Sequence, residues 1–288
     1  MSDRQLEALR RHGFGVAYRM LGSVSEAEDV TQEALVRLTR QETPIDEPAA
    51  WITTVATRLS INVLRSARTR REAYVGPWLP EPLVEDQAPG PASRAELADS
   101  LSLAMLVLLE RLSPVERAAY LLREVFGYEY AQIAEIIEQT EVNSRQIVTR
   151  ARKHLEASRP RFDADEAARD ALLERFLAAA EEGELEALEE LLAKDAVLYA
   201  DSGGKARAPQ EPLVGAALIA RFMATVSGLA RSGDMETRLV RVNGQPGRVV
   251  RGPEGAEIRV LSVLTVDVVD GRIQTVRVMR NPDKLAHL

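Results

Sequence analysis

Residues 143–161 read NSRQIVTRARKHLEASRPR, and this stretch decides how the middle of the chain folds. If it is helical, the small and apolar side chains share one face because they recur at spacings of three and four; they are Ser144, Ile147, Val148, Ala151 and Leu155. The opposite side carries two polar stripes, Arg145, Thr149 and Arg152 in one and Gln146, Arg150 and Lys153 in the other. Asn143, with Gln146 three residues later, predicts the N-terminal cap of this helix.

A shorter amphipathic helix precedes this one, with Tyr130, Ile133, Ala134 and Ile137 on one face and residues 139–141 as the turn. Two helices joined by a tight turn, the second rich in Arg, Gln and Thr, form the helix-turn-helix pattern, whose second helix enters the major groove. A solvated basic face on an ordinary helix gives the same local pattern, so the interpretation needs support elsewhere. Duplex DNA is the first partner that the pattern indicates.

The distribution of charge gives that support. The chain has 288 residues and a net charge of -7, which argues against a generally basic coat protein for nucleic acid. Residues 58–71 nevertheless carry Arg58, Arg65, Arg68, Arg70 and Arg71 with no acid, and residues 145–161 are also strongly basic. Two basic patches in an acidic chain predict two separate phosphate-contacting surfaces.

Several classes of site are disfavoured by composition. The chain has no cysteine, which excludes disulfides and thiolate chemistry, and its 3 histidines lie far apart in sequence. We therefore expect no metal and no cofactor. No run approaches the roughly 18 apolar residues of a membrane span, so we expect a cytoplasmic protein with no membrane partner.

Breaks in the pattern divide the chain into four parts. Residues 1–73 are predicted to be helical, with a break at Gly22 and a new helix capped by Ser25. Residues 74–95 are rich in proline and predict an extended linker. Residues 96–161 are helical again, with Ser113 as a cap and Pro114 at the first helical position. Residues 162–288 predict helices followed by antiparallel hairpins at NG, GPEG and DG turns, an α+β domain.

Trp78 is an apolar residue inside the extended segment. It either docks on a neighbouring domain or packs locally against its own helix, and the spacing leaves both open. Trp51, by contrast, lies at a helical position near Val55 and Leu59, which favours a core role over base stacking.

In this order the segments resemble a bacterial sigma factor of the extracytoplasmic-function class, in the subgroup with a fused SnoaL-like domain. Residues 14–38, FGVAYRMLGSVSEAEDVTQEALVRL, are similar to the part that grips RNA polymerase, and residues 50–72, AWITTVATRLSINVLRSARTRRE, to the promoter −10 helix. Residues 112–137 and the basic helix after them match the second sigma domain. The subgroup motifs are WLPEP at 78–82, DSGGK at 201–205 and NPDKL at 281–285.

The resemblance implies a multidomain fold. Two all-α sigma domains, the second with a helix-turn-helix, precede an α+β SnoaL-like cone with a curved antiparallel sheet. The implied boundaries are 1–73 for the domain that binds polymerase and the −10 element, 74–95 for the linker, 96–161 for the −35-binding domain, and 162–288 for a regulatory domain. The implied partners are bacterial core RNA polymerase and promoter DNA.

The resemblance also assigns roles to residues, and the spacing supports some of them. Polymerase would be met by one polar helix face; its residues are Asp29, Gln32, Glu33 and Arg37. Arg58, Asn62 and Arg65 recur at i, i+4 and i+7, so they share a face suited to single-stranded DNA, and with Arg68, Arg70 and Arg71 they form the −10 set. The −35 set comprises the two polar stripes of the helix-turn-helix, Arg145, Gln146, Thr149, Arg150, Arg152 and Lys153.

A regulatory contact is implied between the three subgroup motifs. Its residues are Trp78, Leu79, Pro80, Asp201, Gly203, Gly204, Lys205, Asn281, Pro282, Asp283, Lys284 and Leu285. Two positions depart from the family pattern: Ser202 replaces the first of three glycines, and Asn62 stands where an Asp is expected in the −10 helix.

Catalysis is the alternative role for the C-terminal domain, because related cone folds include enzymes with an Asp base. Asp201, Asp267 and Asp270 are the available carboxylates, but we find no paired acid and base, so no catalytic residue is predicted. Asp270 fits a hairpin turn, and Asp201 fits the geometry of its own loop. A ligand in the cone pocket would shift the regulatory equilibrium.

Two rival functions stay open. One is a DNA-binding regulator whose C-terminal domain senses a small molecule, and the other is an isomerase or hydrolase with a DNA-binding appendage.

Overall fold

The computed structural model describes residues 2–85, 101–156, 166–231, 235–253 and 260–288, without the side chains of 67–72, 230 and 231. The chain forms two compact units. The first comprises Met1–Ala73 with Met105–Arg159, and the second comprises Tyr74–Ala104 with Pro160–Leu288. The start of the linker therefore belongs with the C-terminal domain.

The first unit is helical. In chain order the helices are α1 Asp3–Leu21, α2 Val24–Thr39, α3 Pro48–Glu72, α4 Leu103–Leu109, α5 Pro114–Glu124, α6 Tyr130–Ile137 and α7 Glu141–Glu156, of which α4 begins in the second unit. Gly22 ends α1 with φ of 65°, as its sequence position predicts. Ser113 and Glu116 form the expected capping box at α5. No helix among the described residues is long and apolar enough to cross a membrane.

Two helices begin earlier than predicted. The cap of α2 is Ser23, whose Oγ accepts a hydrogen bond from the Glu26 backbone N at 3.3 Å, so Ser25 lies inside the helix. Thr140 stands before α7, and its Oγ1 accepts from the Asn143 backbone N at 3.2 Å. The predicted cap at Asn143 is therefore wrong: a suitable hydroxyl three residues upstream starts the helix sooner and places Glu141 and Val142 in its first turn.

The inner face of α3 is formed by small, polar and aliphatic side chains, including Ile52, Thr53, Ala56 and Ser60. Trp51 is half-buried and packs with Val55 and Leu59 against a cluster of Ala34, Leu38 and Ile52. This agrees with the core role that was favoured for Trp51.

The second unit contains the remaining elements. They are α8 Glu166–Glu182, α9 Leu185–Leu191, β1 Leu192–Asp201, β2 Leu213–Val214, α10 Ala216–Arg231, β3 Glu236–Val242, β4 Gln245–Arg251, β5 Val260–Val269, β6 Arg272–Met279 and α11 Pro282–Leu285. Side chains of α8, α9 and α10 pack with Leu198, Leu264, Val266 and Val276 of the sheet in one apolar core.

The sheet has the order β2-β1-β6-β5-β4-β3. The pairs β3–β4, β4–β5 and β5–β6 are antiparallel, as the hairpin turns predict. The expectation of a wholly antiparallel sheet needs one correction, because β1 and β6 pair in parallel and the sheet is mixed. These strands are joined by a long crossover rather than a tight turn, so local turn chemistry does not set their direction.

The NG and DG turns have the expected left-handed backbone, with φ of 50° and 71° at Asn243 and Gly244 and 49° and 71° at Asp270 and Gly271. The GPEG turn lies partly outside the described residues.

Candidate functional site

The linker docks on the C-terminal domain through a buried carboxylate. Asp201 ends β1 and is fully buried. Its Oδ1 accepts a hydrogen bond from the Tyr74 hydroxyl at 2.5 Å, and its Oδ2 accepts from the Leu79 backbone N at 2.7 Å. The prediction that Asp201 holds its own loop is therefore wrong. A carboxylate has several acceptor sites, and here they face the linker.

Lys284 supplies the opposite charge. This α11 residue donates from Nζ to Asp201 Oδ2 at 2.7 Å and to the Leu79 carbonyl at 2.6 Å. Its Nζ also lies 4.1 Å from the ring centroid of Trp78 and 4.8 Å from that of Tyr74. An ion pair removed from water is favourable only when its remaining hydrogen-bonding groups find partners, and the linker backbone and the two rings provide them.

Asn281 and Tyr74 complete the cluster. The Asn281 side chain caps α11 through its Oδ1 and donates from Nδ2 to the Tyr74 hydroxyl at 2.7 Å. Burial, with the hydrogen bond to Asp201, raises the pKa of Tyr74 well above its ordinary value. Tyr74 therefore stays a neutral donor to the carboxylate. We call Tyr74, Trp78, Leu79, Asp201, Asn281 and Lys284 the linker clamp.

The glycine loop is shaped to fit the clamp. Gly203 has φ of 54°, and a Cβ there would clash with Asn281 Nδ2 and lie 2.9 Å from the Tyr74 hydroxyl. Ser202, which replaces the family glycine, is not among the residues with positive φ, and its Oγ accepts from the Gly204 backbone N at 3.3 Å. The serine is therefore compatible with the loop. The Lys205–Asp283 ion pair joins the loop to α11 at the surface.

The three motifs are thus in contact within the second unit, as the resemblance implies. Pro80 and Leu285 are buried and directly follow the clamp residues Leu79 and Lys284 in the chain. Pro282 occupies the first turn of α11, and Gly204 approaches Val75. Trp78 faces Lys284 rather than packing on its own helix, which decides between the two alternatives left open by the sequence.

Asn243 holds the linker at a second place. Its backbone N donates to the Leu83 carbonyl at 2.8 Å, and its Oδ1 accepts from the Leu83 backbone N at 3.0 Å. Its Nδ2 donates to the Leu101 carbonyl at 3.3 Å. Val84 forms an antiparallel bridge with Val242, and Glu85 accepts from the Gly244 backbone N at 3.1 Å. One buried side chain therefore ties Leu83 of the linker to Leu101, which lies shortly before α4.

A small cavity lies in the same unit. Its volume is about 90 Å³, and it is lined by residues 102–104, Arg169, Val242, Gln245, Thr265, Val266 and Asp267. Thr265 is 4% exposed and its Oγ1 has no hydrogen-bond partner. Asp267 pairs with Arg277 at 2.6 Å, whereas Asp270 occupies its turn at the surface. No group of three or more metal-binding side chains occurs among the described residues.

The predicted −35 set lies on the outer surface of α7, and all six side chains are exposed. Two of its arginines have partners on the protein. Arg145 pairs with Glu141 at 2.8 Å and lies 4.6 Å from the Tyr130 ring centroid, and Arg152 pairs with Glu124 at 2.6 Å.

The predicted −10 set lies on α3. Asn62 and Arg65 are exposed, as their shared face predicts. Arg58 instead donates from Nε to the Ile136 carbonyl at 3.0 Å and from Nη2 to the Glu135 carbonyl at 2.8 Å, so it caps the C-terminus of α6. The side chains of Arg68, Arg70 and Arg71 lie outside the described residues.

The predicted polymerase-binding set is exposed along α2, where Arg37 pairs with Glu33 at 2.7 Å. Asp29 and Gln32 share this outward face.

Sequence reasoning missed the linker contacts of Tyr74 and Asn243. It also missed Thr140 at the start of α7, which places Val142 inside that helix. Tyr74 adjoins the WLP motif, so its position beside a recognised motif was a usable signal. Asn243 was read only as a turn residue, because nothing local distinguishes a turn asparagine that also binds a distant segment.

Comparison with known proteins follows the same division of the chain. Residues 6–70 match Sigma-70 region 2, residues 102–155 match Sigma-70 region 4, and residues 173–276 match a SnoaL-like domain. The ECF RNA polymerase sigma factor SigJ of Mycobacterium tuberculosis is 36% identical over 290 residues, which cover 99% of this chain and 93% of that protein. The probable ECF sigma factor SigI of the same species is 36% identical over 188 residues, covering 64% of each chain.

A crystal structure of the M. tuberculosis extracytoplasmic-function sigma factor SigJ matches with a TM-score of 0.79 and 33% identity, covering 99% of this chain and 98% of that one. The likeness to SigJ in sequence and structure extends over nearly the whole chain and includes both sigma regions and the SnoaL-like domain. The chain therefore belongs to the extracytoplasmic-function sigma factors, with a SnoaL-like domain fused at its C-terminal end.

Proposed function

We propose that this sigma factor directs core RNA polymerase to promoters through three surfaces of its first unit. The α2 face around Glu33 binds polymerase, the α3 face around Asn62 and Arg65 binds the −10 element, and α7 binds the −35 element. All the described members of these sets are exposed, which supports this assignment, and Arg58 is in addition hydrogen-bonded to α6. The domain boundaries at 73, 95 and 161 are part of the same proposal, as is action in the cytoplasm, where polymerase works.

We propose that the C-terminal domain regulates initiation by holding the linker and that it is not a catalyst. The observation that carries this is the two-point attachment of the linker, at the linker clamp and at Asn243. The carboxylate a catalyst would use, Asp201, is fully committed to Tyr74, Leu79 and Lys284.

The length of the linker explains how its attachment to the C-terminal domain would affect promoter binding. The −10 and −35 elements lie about 25 base pairs apart by name, or roughly 85 Å at 3.4 Å per base pair. A free segment from 73 to 105 reaches about 105 Å when extended at about 3.3 Å per residue. With Leu83 and Leu101 both bound to Asn243, the contour between the same ends falls to roughly 55 Å. The attached linker therefore restrains the separation of the two DNA-binding domains, and its release relieves the restraint.

A small ligand in the cavity beside Thr265 is a candidate regulator of linker attachment. The unpartnered Thr265 hydroxyl and the neighbouring Arg169 and Gln245 offer polar contacts to a molecule in this cavity. Residues 102–104 line the same cavity and directly follow Leu101, so occupancy would bear on the linker's second attachment. Isothermal titration of the full chain with candidate small polar molecules tests this, and binding unaffected by Thr265→Val would contradict it.

The restraint is tested with Asn243→Gly in polymerase holoenzyme. Glycine accepts φ of 50° without strain but removes the two side-chain hydrogen bonds to the linker. Asp270→Gly is the matched control, because Asp270 has φ of 49° in the same kind of turn and an exposed side chain.

Transcription is measured on promoters whose −10 to −35 spacing is varied. We expect Asn243→Gly to raise output several-fold and to widen the range of spacings used, with Asp270→Gly unchanged. Equal output and an equal spacing range for Asn243→Gly and wild type would contradict the regulatory proposal. Absence of initiation by the wild type would contradict the sigma assignment itself.

A further inference from the structure

The recognition helix α7 carries an exposed apolar side chain in its first turn. Because α7 begins at Glu141, Val142 belongs to the helix rather than to the turn before it. Val142 is 70% exposed, the largest value among the exposed large apolar side chains of the described residues. A single exposed valine needs no explanation by itself, so its place on the helix decides its meaning.

Val142 lies on the line of α7 that points directly away from the protein core. At 3.6 residues per turn, positions 142, 146, 149 and 153 fall on one line, opposite the buried face that includes Ser144, Val148 and Ala151. Arg145 and Arg152 lie on one flank of this line, and Arg150 lies on the other. The middle of the outward face reaches deepest into a major groove, and the N-terminal residues contact base edges.

The cations on one flank are already engaged by the protein. Arg145 pairs with Glu141 and stacks on Tyr130, and Arg152 pairs with Glu124. These contacts hold both guanidinium groups to the side of the helix, where phosphates of the groove walls would meet them.

The central line is neutral at its N-terminal end. Val142 contributes two methyl groups and Gln146 an amide. Thr149 donates its hydroxyl to the Arg145 carbonyl at 2.8 Å, so its methyl group is left to meet a partner. In the major groove a glutamine amide pairs with N6 and N7 of adenine, and apolar groups contact the C5-methyl of thymine. Guanine readout would instead use an arginine or a lysine at this end of the line, and Lys153 lies at its other end.

We infer that Val142 contacts a thymine methyl group and that Gln146 reads an adenine, so that the −35 element is read at adjacent A·T pairs by the middle of α7. This inference rests on the proposed −35 role of the helix and adds a specificity-determining residue to it.

Replacing thymine by uracil removes only the methyl group and tests the contact directly. Holoenzyme formed from the full chain is bound to promoter DNA in which each thymine of the −35 element is replaced in turn. For the wild type we expect one position at which uracil weakens binding about three- to fourfold, which is the scale of one buried methyl group. For Val142→Ala we expect that sensitivity to disappear, while Val214→Ala, at another exposed valine, retains it.

The outcomes distinguish failure of the Val142 contact from failure of the −35 assignment of α7. Uracil sensitivity that persists in Val142→Ala, or that occurs at no position in the wild type, overturns the role of Val142. If binding by the wild type does not depend on the −35 sequence at all, the assignment of α7 to that element is overturned. Val142→Ala is a substitution at an exposed helical site, and it removes no buried contact, so loss of folding does not confuse the result.

Discussion

Removal of the Asp201 carboxylate is the perturbation for which the structure gives the clearest magnitude. Asp201→Ala leaves the Lys284 ammonium with its side chain only 9% exposed and without a counter-charge, and it removes the acceptor of the Tyr74 hydroxyl and the Leu79 N–H. Removing one member of a buried pair typically costs about 3–5 kcal/mol, mostly because the remaining charge stays buried. We expect the C-terminal unit to lose that much free energy of unfolding.

Trp78 provides the assay. The chain has 2 tryptophans, and in a Trp51→Phe background the emission reports only on the ring that lies 4.1 Å from Lys284 Nζ. Urea unfolding followed by this emission gives the free energy, and a red shift of the folded baseline would show that the Trp78 ring has become solvated.

A double-mutant cycle isolates the ion pair. Asp201→Ala combined with Lys284→Met removes both charges, so it is expected to cost less than Asp201→Ala alone. A loss below about 1 kcal/mol for Asp201→Ala, or strictly additive costs in the double mutant, would refute the reasoning that the buried charge pair holds the linker.

Three further predictions concern the rest of the molecule. Burial and the nearby Arg19 lower the pKa of His12 below its value in the unfolded chain. The unfolded state therefore binds more protons below about pH 6.5, and the helical unit loses stability on acidification. His12→Gln should flatten this pH dependence of the melting temperature, and an unchanged slope would contradict the argument. Arg58→Ala should cost about 1–2 kcal/mol of unfolding free energy, because two carbonyls at the end of α6 lose their hydrogen bonds. Arg65→Ala is the control and should cost less than about 0.5 kcal/mol, since the Arg65 side chain is exposed. Equal costs in chemical denaturation would show that the contacts between Arg58 and these carbonyls do not stabilise the fold. Gly203→Ala should destabilise the C-terminal unit by about 1–3 kcal/mol, because the residue has φ of 54° and an added Cβ would clash with the Asn281 side-chain amide. A melt identical to wild type would contradict this reasoning.

Local patterns in the sequence predicted helices better than they predicted contacts between distant segments. The spacing of Ser144, Val148 and Leu155 placed the buried face of α7 correctly, since that face is fixed by helical geometry alone. The start of α7 was missed because Thr140 and Asn143 are both good caps, and the choice between them is made by the backbone. The parallel pairing of β1 with β6 was missed for a related reason, since no tight turn joins those strands.

The candidate site was predictable only through the family resemblance. The motifs containing Trp78, Asp201 and Lys284 were expected to meet, and they do, but over a hundred residues separate the linker from the other two along the chain. The role of Asn243 could not be predicted from a local pattern, because it depends on the carbonyls of Leu83 and Leu101 and on the Leu83 N–H, which the tertiary fold brings to it. Buried Arg117, at 1% exposure, is a similar case, since helical periodicity alone predicts a charged surface residue there.

The central claim is that attachment of the linker to the C-terminal domain restrains initiation, and a reversible covalent lock tests it most directly. Val84 and Val242 are directly paired across an antiparallel bridge, and the chain has no cysteine of its own, so Val84→Cys with Val242→Cys offers a single disulfide. Transcription with core polymerase is compared for the oxidised and reduced forms, with each single-cysteine variant as control. We predict several-fold lower output from the oxidised form, restored by reduction, whereas equal output from the locked and unlocked forms would contradict the claim.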